Sequence, residues 1–288
     1  MLITGRQEKQ ILMKAREDRW AIGAFNAFDL NSLEAIMTAA EELGVPALIQ
    51  TWDFYNPDSE KNSFTEKGAR IFEKQIILRA KESPVPVILH LDHTPSYAGC
   101  VRGIRAGWNS VMIDASAKSL EENIALSGKV VEAAHACDVL VEGEIGHVAG
   151  YSGLDTIYTG VDEAVAYVKG SGVDLCAVSV GTVHGFYATE PKLNYERIAE
   201  LREAIDIPLV MHGGSGLSEE QFRKSIENGI VKINFATYVQ IAGGKAIAEA
   251  VNGVERPMFN KVVAAGQDAA KDFIKMHMQI FGTQPVKL

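Results

Sequence analysis

Short apolar runs rich in β-branched residues recur along the chain. Each is followed by a turn and then by a longer stretch with apolar residues at helical spacing. A period near two giving way to a period near 3.6, over and over, is the signature of parallel βαβ units. The runs predict eight strands, at 21–25, 47–50, 85–91, 110–113, 139–144, 175–180, 209–212 and 231–235. Helices are predicted at 32–43, 65–81, 96–106, 119–136, 162–169, 195–204, 218–227 and 237–251. A last helical stretch at 257–281 has no strand after it and is expected to pack outside the barrel or against another subunit. Local chemistry agrees with the period. Asn31 or Ser32, Ser119 with Glu122, and Ser218 with Gln221 read as helix starts, all resembling capping boxes. Gly44, Gly107, Gly170 and Gly229 read as stops.

Eight such units predict an α/β fold, a (β/α)8 TIM barrel with extra C-terminal helices, and residues 1–288 are expected to form one domain. Composition narrows the partners. With 47% hydrophobic and 23% charged residues the chain can bury a large core. A net charge of −9 argues against nucleic acid, which is bound by basic faces. An anionic substrate would need a local positive site such as a metal or a helix N-terminus. The N-terminus is charged throughout and reads as no signal peptide, and no run is long enough to span a membrane, so a cytoplasmic location is expected. Cys100, Cys137 and Cys176 lack metal-type spacing and are expected to be buried, reduced thiols.

In a barrel of this kind the chemistry sits where strands end and loops begin. Three of the seven histidines fall there: His93 after Leu89-His90-Leu91-Asp92, His184 in Gly181-Thr182-Val183-His184-Gly185, and His212 before Gly213-Gly214-Ser215-Gly216. Three imidazoles from three strands suit Zn2+ with one position open to a substrate oxygen, and Asp92 stands beside them as an acid–base group. His90 shares Asp92's side of the pleat and either supports the site or fills the barrel. His135, His147 and His277 are read as structural. The loop Gly213-Gly214-Ser215, with Asn234, Ala236 and Thr237 at the last strand end, is the expected phosphate cradle.

These segments together resemble the class II fructose-bisphosphate and tagatose-bisphosphate aldolases over nearly the whole chain. The likeness is carried by Ala24-Phe25-Asn26, by Leu89 to His93, by Val141-Glu142-Gly143-Glu144-Ile145-Gly146, by Gly181 to Gly185, by His212 to Gly216, and by Asn234 to Thr237. The resemblance implies that His93, His184 and His212 bind zinc and that Asp92 exchanges a proton with the hydroxyl that becomes the aldehyde. It implies that Gly185, Gly213 and Ser215 hold a phosphate with a monovalent cation nearby, that Asn234 orients the enediolate, and that Thr237 completes the phosphate site. Asn26, Gly214 and Ala236 are placed among the substrate-binding residues, and Glu144 below the metal as a supporting or alternative ligand. The implied reaction is reversible cleavage of a ketose (bis)phosphate to a dihydroxyacetone-phosphate-like fragment and an aldehyde, by a homodimer or homotetramer. A deoxy- or acid-sugar phosphate is the alternative substrate, and a non-catalytic subunit stabilising a tagatose-type aldolase the alternative role. The chain departs from the family at 147–155, which lacks the usual acidic pair and leaves Tyr151 or Asp155 as substitutes. It also departs after His184, where the family's lysine is missing and the next lysine, Lys192, matches a later one of tagatose-type members, and at Trp52, a bulky residue expected either to pack or to narrow the mouth or stack on substrate.

Overall fold

The computed structural model describes residues 1–54, 65–146, 158–185, 187 and 190–288. In chain order the elements are α1 (Gly5–Asp18), β1 (Ile22–Asn26), α2 (Leu30–Leu43), β2 (Ala47–Trp52), α3 (Glu66–Lys81) and β3 (Val87–Thr94). There follow α4 (Tyr97–Ala106), β4 (Ser110–Ile113), α5 (Leu120–His135), β5 (Leu140–Ile145), α6 (Val161–Ser171) and β6 (Leu175–Val178). The chain ends with α7 (Tyr195–Ala204), β7 (Leu209–Met211), α8 (Glu219–Asn228), β8 (Ile230–Phe235), α9 (Thr237–Val251) and α10 (Phe259–Ile280). The eight strands pair in parallel, each with its neighbour in sequence, and β1 closes on β8. This is the (β/α)8 barrel that the alternation of periods predicted. No helix among the described residues is long and apolar enough to cross a membrane.

Local signals mark most boundaries correctly. Ser119 and Ser218 each form the expected capping box, and Gly44 and Gly107 end their helices in the left-handed region. Two signals sit elsewhere than predicted. Asp29, not Asn31 or Ser32, caps α2, with Ser32 answering it from the third helical position. The left-handed stop of α6 is Gly172, while Gly170 lies within the helix. Cys100 and Cys176 are buried, but Cys137 is exposed, because it follows the last turn of α5 on the outside of the barrel.

The helix missing from the sequence reading is α1. Its charges hide a narrow buried stripe of Glu8, Ile11, Leu12 and Ala15, and Thr4 with Gln7 forms a capping box at its start. That stripe closes the lower end of the barrel against Ile22, Leu48, Ile88, Leu140 and Val210. Burying Ile11 and Leu12 contributes about 1.5–3 kcal/mol each. At the other end of the chain, α10 lies along α2 and α9, and Ile274, Met278 and Phe281 are buried. His277, read as structural, packs there against Phe235 and Phe273.

Glu8 is the anomaly on the stripe. It is fully buried, Oε1 accepts a 2.9 Å hydrogen bond from Ser110 Oγ, and no described group bonds Oε2. Burial pushes its pKa up to about 8, with the Ser110 bond and Lys232 only partly offsetting it. The folded value lies above the ordinary one near 4.5, so the folded chain holds a proton that the unfolded chain has lost. Stability from this group is therefore complete below about pH 4.5 and declines as pH rises toward 8. Glu8→Gln removes the titration. The variant is expected to be more stable than the parent at pH 8 by roughly 1–3 kcal/mol. Near pH 4.5 the two should match. Urea unfolding across that range checks this, and parallel pH profiles for the two proteins would refute it.

Candidate active site

On β3, β5 and β7 the inward face runs from apolar at the bottom to polar at the top. On β3 the series is Ile88, His90, Asp92; on β5 it is Leu140, Glu142, Glu144; on β7 Val210 is followed by His212; on β8 Lys232 is followed by Asn234. The lower layer closes the core, and the upper layer opens into a cleft at the C-terminal mouth. Asn26, Gln50, Asp92 and Asn234 line it on one side. His93, His184, Gly185, Gly213, Ser215 and the start of α9 at Ala236 and Thr237 line the rest. All three histidines singled out by strand-end position therefore meet in one place.

Neighbouring residues on a strand point to opposite faces, yet Asp92 and His93 both reach the cleft. The register between β3 and β4 shifts between Leu91 and Thr94, and His93 has φ 41°, a left-handed conformation rare outside glycine. This bulge turns His93 back into the mouth. Backbone strain of this kind costs about 1–3 kcal/mol and is held only where the surroundings over-determine it.

The surroundings here are acidic. His93 Nδ1 lies 2.9 Å from Asp114 Oδ2, and His212 Nε2 lies 2.9 Å from Glu142 Oε1. Each carboxylate fixes one ring nitrogen as the protonated one and leaves the other directed into the cleft. Those free nitrogens, His93 Nε2 and His212 Nδ1, face each other at 2.9 Å. The His184 ring is edge-on to both, with centroids 5.0 Å and 5.7 Å away, and the three side chains each bring a ring nitrogen within 4.8 Å of the others. Burial alone would lower the pKa of His93, but the charges of Asp92 and Glu144 and the Asp114 hydrogen bond outweigh it and push it up to about 9. His212 moves the other way, held well below its ordinary value by burial and by the nearby His93. Asp114 stays well below the usual carboxylate range because the His93 and Ser116 hydrogen bonds overcome its burial. The pocket favours a cation, and its nitrogens converge as a three-coordinate metal site requires.

Asp92 is buried beside these rings, and its Oδ1 accepts from Asn234 Nδ2 at 3.0 Å. Asn26 Oδ1 accepts from Gln50 Nε2 at 2.7 Å, while Gln50 Oε1 is buried with no described donor. On the opposite side Gly213 has φ 71° and its carbonyl accepts from Tyr187 Oη at 2.7 Å. The cap of α9, Ala236, has no side chain able to bond the first-turn N–H groups, which leaves that helix start able to meet an anion.

Three residues expected in the cleft are not on its lining: His212, which is fully buried, Gly214 and Glu144. Gly214 lies behind the loop, its N–H donating to Asn234 O at 3.3 Å, because the turn points its Cα toward Ile233. Glu144 is buried below, within 4.8 Å of the ligand atoms of His93 and Asp114, which makes it part of a second possible cation cluster. Lys192 is absent from the lining, and its carbonyl accepts from Tyr158. Trp52 is 6% exposed and packs on Phe28 and Phe54, so its ring contacts are those of a wall. His90 fills the barrel, bonded to Ser110 Oγ at 2.8 Å. His135 is an outer residue paired with Asp174. His147, Tyr151 and Asp155 lie outside the described residues. Gln50, Asp114, Glu142, Tyr187 and Lys232 escaped the sequence reading. A lone lysine inside the apolar run Ile230-Val231-Lys232-Ile233 was the one visible signal among them.

A profile of the family described as fructose-bisphosphate aldolase class-II matches residues 6–285. The fructose-bisphosphate aldolase of Geobacillus stearothermophilus is 37% identical over 284 residues, covering 96% of each chain. That of Staphylococcus epidermidis is 34% identical over 283 residues, again 96% of each. Among solved structures, the YdjI aldolase of Escherichia coli K12 superposes with a TM-score of 0.86 at 30% identity, covering 98% of both chains. A match this complete, on a barrel whose strand ends gather the family's motif residues into one cleft, makes the chain a member of the class II fructose-bisphosphate aldolase family, and so a lyase.

Proposed function

We propose that this chain is a zinc-dependent aldolase that reversibly cleaves a ketose mono- or bisphosphate into a dihydroxyacetone-phosphate-like fragment and an aldehyde. The observation that carries the reading is the convergence of three imidazole nitrogens beside a buried Asp92–Asn234 pair. His93, His184 and His212 would hold the Zn2+, with Glu144 and Asp114 beneath them adding negative charge. The fit rests on the donor set: two of the imidazoles already have their far nitrogens fixed on carboxylates, which orients the near ones. Bound there, Zn2+ supplies Lewis-acid polarisation of the substrate's ketone oxygen.

The protein's own groups carry the remaining work. Asp92 takes the proton from the hydroxyl on the aldehyde-side carbon of the bond to be broken. As that hydroxyl becomes the aldehyde carbonyl, the carbon–carbon bond breaks and its electron pair passes to the ketose fragment. Asn234 Nδ2, which donates to Asp92 Oδ1, would donate to the oxygen on which charge then develops. Gly185, Gly213, Ser215, Ala236 and Thr237 would hold the phosphate at the start of α9, with a monovalent cation beside it. Asn26 and Gln50 would meet substrate hydroxyls, Gln50 Oε1 being a buried acceptor in want of a donor. Function in the cytoplasm as a homodimer or homotetramer belongs to the same proposal.

The test is an assay of the zinc-loaded protein against fructose, tagatose and related ketose mono- and bisphosphates. Triose phosphate release that a chelator abolishes and Zn2+ restores is the expected result. Stoichiometric zinc with no cleavage of any of them would defeat the reading.

A further inference from the structure

Lys232 is a charged residue deep in the barrel, 1% exposed and one inward step below Asn234 on β8. An ammonium withdrawn from water needs acceptors. It has two: Nζ lies 2.9 Å from Glu142 Oε2 and donates to Asn234 Oδ1 at 2.7 Å. An ammonium carries three protons and no lone pair, so only the oxygen end of the Asn234 amide can face it. The amide's NH2 end is thereby directed the other way, to Asp92 Oδ1 at 3.0 Å. The two ends of an asparagine amide are nearly equal in size, and their partners alone decide which way it turns.

We propose that Lys232 is a positioning residue: a buried cation, neutralised by Glu142, that locks the Asn234 amide with its NH2 toward the reacting centre. The proposal rests on the role given above to Asn234. Without the lysine the amide is free to turn over. Its carbonyl would then face the Asp92 carboxylate and the oxygen that gains charge, repelling where it should donate. Glu142 divides its two oxygens between His212 Nε2 and Lys232, so one buried carboxylate braces both the imidazole and the amide.

The experiment uses the zinc-loaded full chain and two probes, inorganic phosphate and a hydroxamate analogue of dihydroxyacetone phosphate that mimics the planar, charged enediolate. In Lys232→Met, zinc content and phosphate affinity are expected to stay within about twofold of the parent, while hydroxamate affinity falls at least about tenfold. Lys232→Gln keeps a donor at that place and is expected to restore most of the loss. In an Asn234→Ala background, Lys232→Met should change hydroxamate affinity no further, because the residue through which it acts is gone. Equal loss for phosphate and hydroxamate, or the same loss with Asn234 removed, would overturn the proposal. Where Lys232→Met does not fold, Lys232→Gln takes its place in the cycle. A loss below about threefold, vanishing with Asn234, then supports the proposal, and a larger loss that persists overturns it. These are binding measurements, so they stand apart from whether any ketose phosphate is cleaved, which bears on the proposed function.

Discussion

Asp92→Asn is expected to lower kcat by about 10²- to 10⁴-fold while leaving zinc content unchanged and KM within a few-fold. Asparagine has nearly the same shape, and its oxygen can still accept from Asn234 Nδ2, so the wall of the cleft survives. What is lost is a group able to take a proton. Its loss also removes the charge that does most to raise the pKa of His93, so that imidazole is expected to remain neutral to a lower pH. The proposed role is confined to the aldehyde-side hydroxyl, and this makes a partial reaction informative. Exchange of a dihydroxyacetone phosphate proton with solvent requires no aldehyde and should persist in the variant while cleavage collapses. A loss of less than about tenfold in cleavage, or equal loss of exchange and cleavage, would remove Asp92 from that role.

Gly213→Ala should reduce kcat/KM by about 10²-fold, mainly through KM, by forcing apart the two loops that hold His184 and the phosphate cradle. Gly213 sits at φ 71°, and a Cβ there would lie 2.4 Å from the carbonyl oxygen of Val183 and 2.8 Å from its carbon. Both are backbone atoms with nowhere to rotate. The Tyr187 hydroxyl, which donates to Gly213 O and accepts from Val183 N–H at 3.3 Å, pins the same pair of loops together. Gly44→Ala supplies the control. It has nearly the same φ, 68°, but nothing lies within 4 Å of its added Cβ. It should cost about 1 kcal/mol of stability with no change in activity. Steady-state kinetics of both variants separate collision from left-handed strain, and equal activities would show that the loop contact carries no functional weight.

Both variants act on residues that were visible in the sequence, and the contrast with Lys232 and Asp114 shows why. Strand ends, capping boxes and glycine stops are written in neighbouring residues, so a period or a four-residue pattern reveals them. His93, His184 and His212 could be grouped because the barrel rule turns position along the chain into position around a mouth. The N-terminal helix was missed for a related reason: its buried stripe includes Glu8, a residue that patterning assigns to solvent.

The alternation of hydrophobic and polar positions, by itself, determined that this chain makes a (β/α)8 barrel, and its motifs determined which family it belongs to and which histidines stand at the strand ends. Only the tertiary structure decided which nitrogen of each histidine faces the cleft, which way the Asn234 amide is turned, and why an ammonium is tolerated in the barrel. Those choices are made by partners such as Glu142, 70 residues from His212 in sequence and 2.9 Å from it in space. A hydrogen bond between distant strands depends on register, bulge and burial together, and no local pattern encodes all three.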